Sequence, residues 1–338
     1  MNKLKNKILF TLSFSLIILV ILILFTVNQQ TWQVLKNLNW IYIVISSGIM
    51  GFVWFANGFK LKVLAKGVDV KLPLLAAIEI GLVGSFFANI TPSGVGGQPF
   101  KVVALAKSNV SSGRASAIVI VELILRLVFF IFSLPLVFFK LRSLFVSYIN
   151  GKLLILGVTI FILGLLVVIY LLLYHPRNLV LICFWLLNRS LIKKIVDEQK
   201  IYAWKRELAR EIRIFYQALW RYLKVSKWEL VFSFILTVLS WSAQFIVIYF
   251  IIRSLNLQMN LGSLILIQLL IYTAAIFIPI PGGSGVEVIL ASLLQQSLPV
   301  SVLGIVVGGW RFFTYYSYLI VGGIISFKVF NLDKEVSQ

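Results

Sequence analysis

The chain has 338 residues, 60% of them hydrophobic and only 12% charged, and its mean hydropathy is +1.01. A soluble domain carries about twice that charged share, so the repeated apolar runs of roughly 20 residues define a polytopic α-helical membrane protein. The net charge of +20 lies mostly between those runs, where anionic headgroups and the positive-inside rule account for it, and nucleic acid is not an expected partner.

Ile8 to Val27 is the first apolar segment, behind Lys3, Lys5 and Lys7. No small-x-small cleavage site follows it, so it reads as a retained signal anchor. Trp40 to Phe59 comes next. Leu74 to Ile90 leads into a glycine-proline break and resumes as Phe100 to Ala106. Ala117 to Phe139 and Leu153 to Tyr174 precede a long basic stretch, followed by Leu230 to Ile252 and Leu261 to Ile278. After a second break come Val286 to Leu298 and Val302 to Phe327. The single cysteine, Cys183, excludes an internal disulfide and a zinc cluster. The single histidine, His175, sits beside Pro176 at a segment end, so no histidine triad can be built and no cofactor is expected.

Charge bookkeeping sets the expected topology. If every early segment crosses once, Lys101, Lys107, Arg114 and the basic stretch at 176–228 all fall outside, against the positive-inside rule. If residues 74–107 instead enter from the cytoplasm and return there, these charges move inside, and only Lys140, Arg142 and Lys152 are left outside. The second broken segment, 261–298, then dips in from the opposite face. The expected fold is all-α, with six full spans, two re-entrant broken hairpins in an inverted repeat and both termini cytoplasmic. One transmembrane domain covers 1–338, with repeat one at about 40–139, a connector at about 176–228 and repeat two at about 230–327. Hairpins whose arms cross fully would have the same parity. Within the connector, Ile201 to Leu223 mixes aromatic and basic residues at near-helical spacing, which suits an amphipathic helix on anionic lipid or a solvated connector helix. Gly48, Gly51, Gly81, Gly84, Gly308, Gly309, Gly322 and Gly323 are expected to let helices pack closely.

The two breaks share one pattern. Pro92-Ser-Gly-Val-Gly-Gly-Gln98 and Pro281-Gly-Gly-Ser-Gly-Val-Glu287 both read Pro-x-Gly-x-Gly-x-Gln/Glu. Broken backbone at membrane depth is tolerated only inside protein or beside a water-filled cavity, and a matched pair points to a midplane binding site. The candidate substrate-binding residues are therefore Thr91, Pro92, Gly94, Gly96, Gly97 and Gln98 in the first break, and Pro281, Gly283, Gly285 and Glu287 in the second. Intramembrane charges add Glu122, Arg126 and Arg311. Guanidinium groups pair with phosphate, so both arginines suit an anionic headgroup. The alternative is structural: Glu122 neutralises Arg126 four residues on, and Glu287 pairs with Arg311. Gln98 and Glu287 could equally cap the half-helices that follow them. Glu79, near the cytoplasmic end of its segment, is expected to snorkel. Phosphate-loop, metal-ligand and nucleophile-elbow patterns are all missing from the sequence.

On these residues, Asn89-Ile-Thr-Pro-Ser-Gly-Val-Gly-Gly-Gln-Pro-Phe-Lys101 and Pro279-Ile-Pro-Gly-Gly-Ser-Gly-Val-Glu287, the chain resembles the lysylphosphatidylglycerol synthase transmembrane family from about Ile8 to Phe327. That family is the flippase-like membrane half of the bacterial multiple peptide resistance factor and also occurs as stand-alone membrane proteins. Where the family often has Pro-x-Arg-x-Gly-Glu at the first break, this chain has Gly-Gly-Gln. The resemblance implies an inner-membrane protein, bacterial or archaeal, that moves a charged or glycosylated lipid between leaflets. Its implied partners are anionic or aminoacylated phospholipids, with a separate synthase or a second copy of the chain as candidate protein partners. Full-length members add a soluble domain that transfers lysine from its tRNA to phosphatidylglycerol. Phosphatidylglycerol lysyltransferase chemistry is therefore the alternative reading, and with the chain ending at Gln338 just after its last span, that chemistry has no expected home here.

Overall fold

The computed structural model describes residues 20–21, 23–26, 28–91, 94, 96–148, 163–164, 198–275 and 285–331. The described residues are all-α. Nearly all of the expected Leu153–Tyr174 span, most of Ile8–Val27, His175 and Cys183 lie outside them, as do Pro92, Pro281 and Gly283. In chain order the helices are α1 (Gln29–Lys36), α2 (Trp40–Gly67), α3 (Leu74–Asn89), α4 (Gly97–Lys107), α5 (Ser112–Tyr148) and α6 (Glu198–Lys224). They continue with α7 (Lys227–Ser254), α8 (Leu261–Ala275), α9 (Val286–Leu294), α10 (Val300–Arg311), a π-turn at Phe312–Tyr316 and α11 (Ser317–Asn331). Four runs, Trp40–Gly67, Ser112–Ser133, Lys227–Ser254 and Val300–Phe330, are long and apolar enough to cross a membrane. Helix α1 is not among the expected elements. Its capping box between Asn28 and Thr31 starts it, and the Thr31 hydroxyl donates to the Ser301 carbonyl at 2.7 Å.

Helices α2 and α7 lie antiparallel along their lengths. At one end the Asn39 N–H donates to the Ser254 carbonyl at 2.8 Å, and the Asn256 amide reaches the Asn37 carbonyl at 2.8 Å. At the other, the Ser226 hydroxyl and Arg221 Nε both donate to the Gly67 carbonyl, at 2.8 and 3.2 Å. This second end gathers much of the basic surface. Lys328 pairs there with Glu79 at 2.7 Å in an exposed contact.

In the first broken segment the two arms begin and finish toward the same end of the α2–α7 pair. Helix α3 leaves the basic end just after α2, and α4 returns to it, where Lys107 sits over the Phe330 ring at 5.1 Å. With 16 and 11 residues, these arms reach about 24 and 16 Å, short of a hydrocarbon core of about 30 Å. Helices α8 and α9, with 15 and 9 residues, are likewise short, at about 22 and 14 Å, and residues 276–284 between them lie outside the described residues. Helix α8 follows the end of α7, and α9 precedes α10, whose start touches α1.

Helix α6 differs from the lipid-lying expectation. Its apolar stripe of Ile212, Phe215, Leu219 and Tyr222 is buried in the same core as Leu64, Val110, Ala115 and Ile118. Protein, not lipid, covers that face. Burial pushes the Tyr222 phenol above its ordinary range, so it stays neutral and donates to the Leu64 carbonyl. The Gly113 N–H donates to Glu211 at 2.5 Å, and Arg221 holds Asp69 at 2.7 Å, so α6 clasps the bases of both neighbouring connections.

Glycine supports only part of the packing expected of it. Gly84, Gly309, Gly322 and Gly323 do face close neighbours, whereas Gly48, Gly51 and Gly81 face open space, because their helix surfaces meet no other helix there. Gly58 is the closer approach: a Cβ on it would fall 2.7 Å from Ile78 Cα. Gly58→Val should push α2 and α3 apart and cost about 1–3 kcal/mol, read as a lowered melting temperature in detergent. Gly48→Val should leave that temperature unchanged.

Candidate functional site

The first break is built by its own small residues. Thr91 donates its hydroxyl to the Phe87 carbonyl at 2.7 Å and accepts the Gly96 N–H at 2.9 Å, closing the turn. Gly94 takes φ +68°, the left-handed region open to glycine. A Cβ on Gly97 would lie 2.7 Å from the Gly84 carbonyl, so the arms cross at two glycines. Just beyond, the Lys101 stem lies across Gly84, within 2.3 Å of where a Cβ would stand. That missing side chain lets a long cation run inward. Gln98 follows at the start of α4, and its buried carbonyl oxygen has no hydrogen-bond partner among the described residues.

Lys101 ends on Glu122 of α5, at 2.8 Å from Oε2, and Lys60 of α2 reaches Oε1 at 3.3 Å. Glu122 and Lys60 are buried and Lys101 is nearly so, with side-chain exposures of 11%, 5% and 12%. Asn57 Oδ1 accepts from Lys60 Nζ at 2.9 Å and orients it. Arg126 stands one turn along α5 and has no ion pair within 4 Å among the described residues. This corrects the expected Glu122–Arg126 pair. An i, i+4 contact is worth only about 0.3–0.5 kcal/mol, and two ammonium groups arriving from other helices occupy the carboxylate instead. It also corrects the placement of Lys101 among the surface charges that set topology. The described centre therefore holds three cations and one carboxylate. In a low-dielectric interior such an excess favours an anion.

The second break closes differently. Gly285 takes φ +97°, and its N–H donates to Glu287 Oε2 at 2.8 Å. Oε1 of the same carboxylate, fully buried, forms an ion pair with Arg311 at 2.7 Å. Arg311 lies against the Trp310 and Tyr315 rings, 5.2 and 5.0 Å from their centroids. Here the charges cancel, as the structural alternative for Glu287 and Arg311 expects. Tyr315, within the π-turn, also donates its hydroxyl to the Asn89 carbonyl at 3.3 Å, joining Arg311's surroundings to the tip of the first hairpin.

Lys60 and Lys101 were missed as site residues because each is followed by further lysines that look like a cytoplasmic rim. Asn57, three residues before Lys60 on the same helical face, was the available signal. Also missed was Gln268, fully buried on α8, with no hydrogen-bond partner for either amide atom among the described residues. Tyr272, on the same helix, accepts at its hydroxyl from Gln244 of α7 at 2.9 Å. Among the described residues, no group of three His, Cys, Asp or Glu could hold a metal ion.

Long apolar helices, two interrupted hairpins and buried charge define a helical membrane protein. The family model described as lysylphosphatidylglycerol synthase TM region matches residues 10–322, and the chain belongs to this family. It is 29% identical over 312 residues to a UPF0104 membrane protein of Archaeoglobus fulgidus, covering 92% of this chain and 93% of the relative. It is also 28% identical over 283 residues to a UPF0104 membrane protein of Pyrococcus horikoshii, covering 78% and 79% of the two chains. No solved structure matches it.

Removing the carboxylate should expose the electrostatic dependence of the centre. Glu122→Gln leaves Lys60 and Lys101 buried without a counter-charge and should lower stability by about 3 kcal/mol in detergent unfolding. Adding Lys101→Met should restore part of that loss. A double-mutant cycle with no coupling between the two positions would contradict the geometry.

Proposed function

We propose that this chain is an integral membrane lipid transporter of the flippase type, which carries a phosphate-bearing lipid headgroup past the two hairpin tips. The observation that carries this reading is the cation excess of Lys60, Lys101 and Arg126 around the single carboxylate of Glu122, set beside a broken helix tip. A phosphodiester there would complete the charge balance, with Arg126 as its bidentate donor. Arg311 then serves the second half, exchanging its contact with Glu287 for the passing headgroup. The apolar tails remain in lipid while the polar head moves through the protein.

The same reading takes the two halves as an inverted repeat. Helices α2, α3, α4 and α5 correspond to α7, α8, α9 and the α10–α11 run, and the antiparallel α2 and α7 start the halves from opposite ends. Six full spans and two re-entrant hairpins follow if the anchor at Ile8 to Val27 and the Leu153 to Tyr174 segment also cross. The basic end faces the cytoplasm by the positive-inside rule, in the inner membrane of the cell.

Purified chain in proteoliposomes should move a fluorescent phosphatidylglycerol between leaflets faster than a fluorescent phosphatidylcholine. Arg126→Gln should slow the acidic lipid by about tenfold, the loss of one charge-assisted hydrogen bond. Unchanged transport in that variant would remove Arg126 from the site. For topology, in a Cys183→Ser background, cysteines at Lys71, Lys107 and Lys328 should label from one side of the membrane, and cysteines at Asn37 and Asn256 from the other. Labelling of Lys107 and Lys71 from opposite sides would end the re-entrant arrangement.

A further inference from the structure

At the basic end, away from the Glu122 centre, a cavity of about 500 Å³ opens between α6 and the two connections that α6 clasps. Arg114 at the start of α5 and Arg210 and Arg221 on α6 line it, with Asn109, Ser111 and Gln217 between them. The one carboxylate in the lining, Asp69, is already held by Arg221 Nη2 at 2.7 Å. Arg221 is further fixed by its Nε–H bond to the Gly67 carbonyl at 3.2 Å, so one guanidinium is oriented in advance. Arg114 and Arg210 have no ion pair among the described residues. Two helices thus place three permanently charged arginines, Arg114 and Arg210 of them exposed, around one polar space whose lining holds a single carboxylate, a surplus of positive charge that favours an anion there. The hydroxyl of Ser111 and the amides of Asn109 and Gln217 supply neutral donors of the kind that complete a phosphate shell.

We propose that this cavity is a binding site for a phosphate group, and that its occupation locks α6 onto the base of the first hairpin. The mechanical consequence follows from connectivity. The lining joins the α2–α3 connection, the α4–α5 connection and α6, and α4 is the arm that carries Lys101. An anion bridging Arg114 to Arg210 would add a tie beside the Gly113–Glu211 hydrogen bond and resist separation of α6 from the hairpin base. The phosphate could belong to a soluble metabolite or to a lipid headgroup at the membrane surface. The site is separate from the Glu122 centre and binds whether or not the chain moves lipid.

Hydrogen exchange of the α6 amides in the full-length chain tests this with two arms. In detergent micelles, pyrophosphate at ten times its dissociation constant should slow α6 exchange about tenfold relative to sodium chloride of the same ionic strength. In nanodiscs, phosphatidylglycerol mixed into phosphatidylcholine should do the same if the phosphate comes from lipid. Slowing in the first arm assigns a soluble ligand, and slowing in the second alone assigns a headgroup. In either arm, Arg114→Gln with Arg210→Gln should abolish the effect. Arg210→Lys, which keeps the charge but removes the planar fork, should weaken it several-fold and covers the case in which the double variant loosens α6 by itself. No slowing in either arm, or slowing that survives in Arg210→Lys and the double variant alike, overturns the proposal.

Discussion

The carboxylate of Glu122 is the contact on which the interior arrangement depends. Taking a charge out of water is costly, and the cost is offset only by well-placed partners. Lys60 and Lys101 supply those partners from two other helices, at 3.3 and 2.8 Å, so the carboxylate sets where α2 and α4 stand against α5. The first hairpin has to be broken for this to work. An unbroken helix through residues 74–107 would carry Lys101 far along the axis, whereas the turn at Gly94 and the Gly84–Gly97 crossing return it beside Gly84. Glycine at 84 is then required by the lysine stem, and Thr91 is required by the turn, since its hydroxyl holds the Gly96 N–H.

The residues beside the two breaks have opposite electrostatic outcomes. Behind the second break a single buried pair, Glu287 with Arg311, balances itself and is tied to the Gly285 backbone. Behind the first, cations outnumber the carboxylate. Tyr315 spans the gap, with its ring on Arg311 and its hydroxyl on Asn89. It sits in a π-turn, a wider winding often found where a helix serves a site rather than only a span.

At the surface, α6 shows how a strongly amphipathic sequence is resolved by its neighbours. The same stripe of Ile212, Phe215, Leu219 and Tyr222 would bind a membrane surface if it were alone. The bundle offers a closer-packed partner, and Tyr222 finds the Leu64 carbonyl there. What remains outward mixes the basic Arg206, Arg210 and Arg213 with exposed Tyr202 and Trp204.

The sequence by itself determined the class and placed the first break, and it offered the Glu287–Arg311 pair as one of two readings of those charges. Hydropathy over 20 residues, and glycine and proline in an apolar run, report on the chain's own backbone and solvent. Only the tertiary structure decided which charges share a site. A lysine four carbons long at a helix end looks the same in sequence whether it rises to the headgroups or folds inward. Its direction depends on what the adjoining helix presents, and for Lys60 and Lys101 that is the carboxylate of Glu122, which is remote in sequence and adjacent in space. Glu122 likewise passed over Arg126, its neighbour in sequence, for partners that only packing could bring within reach.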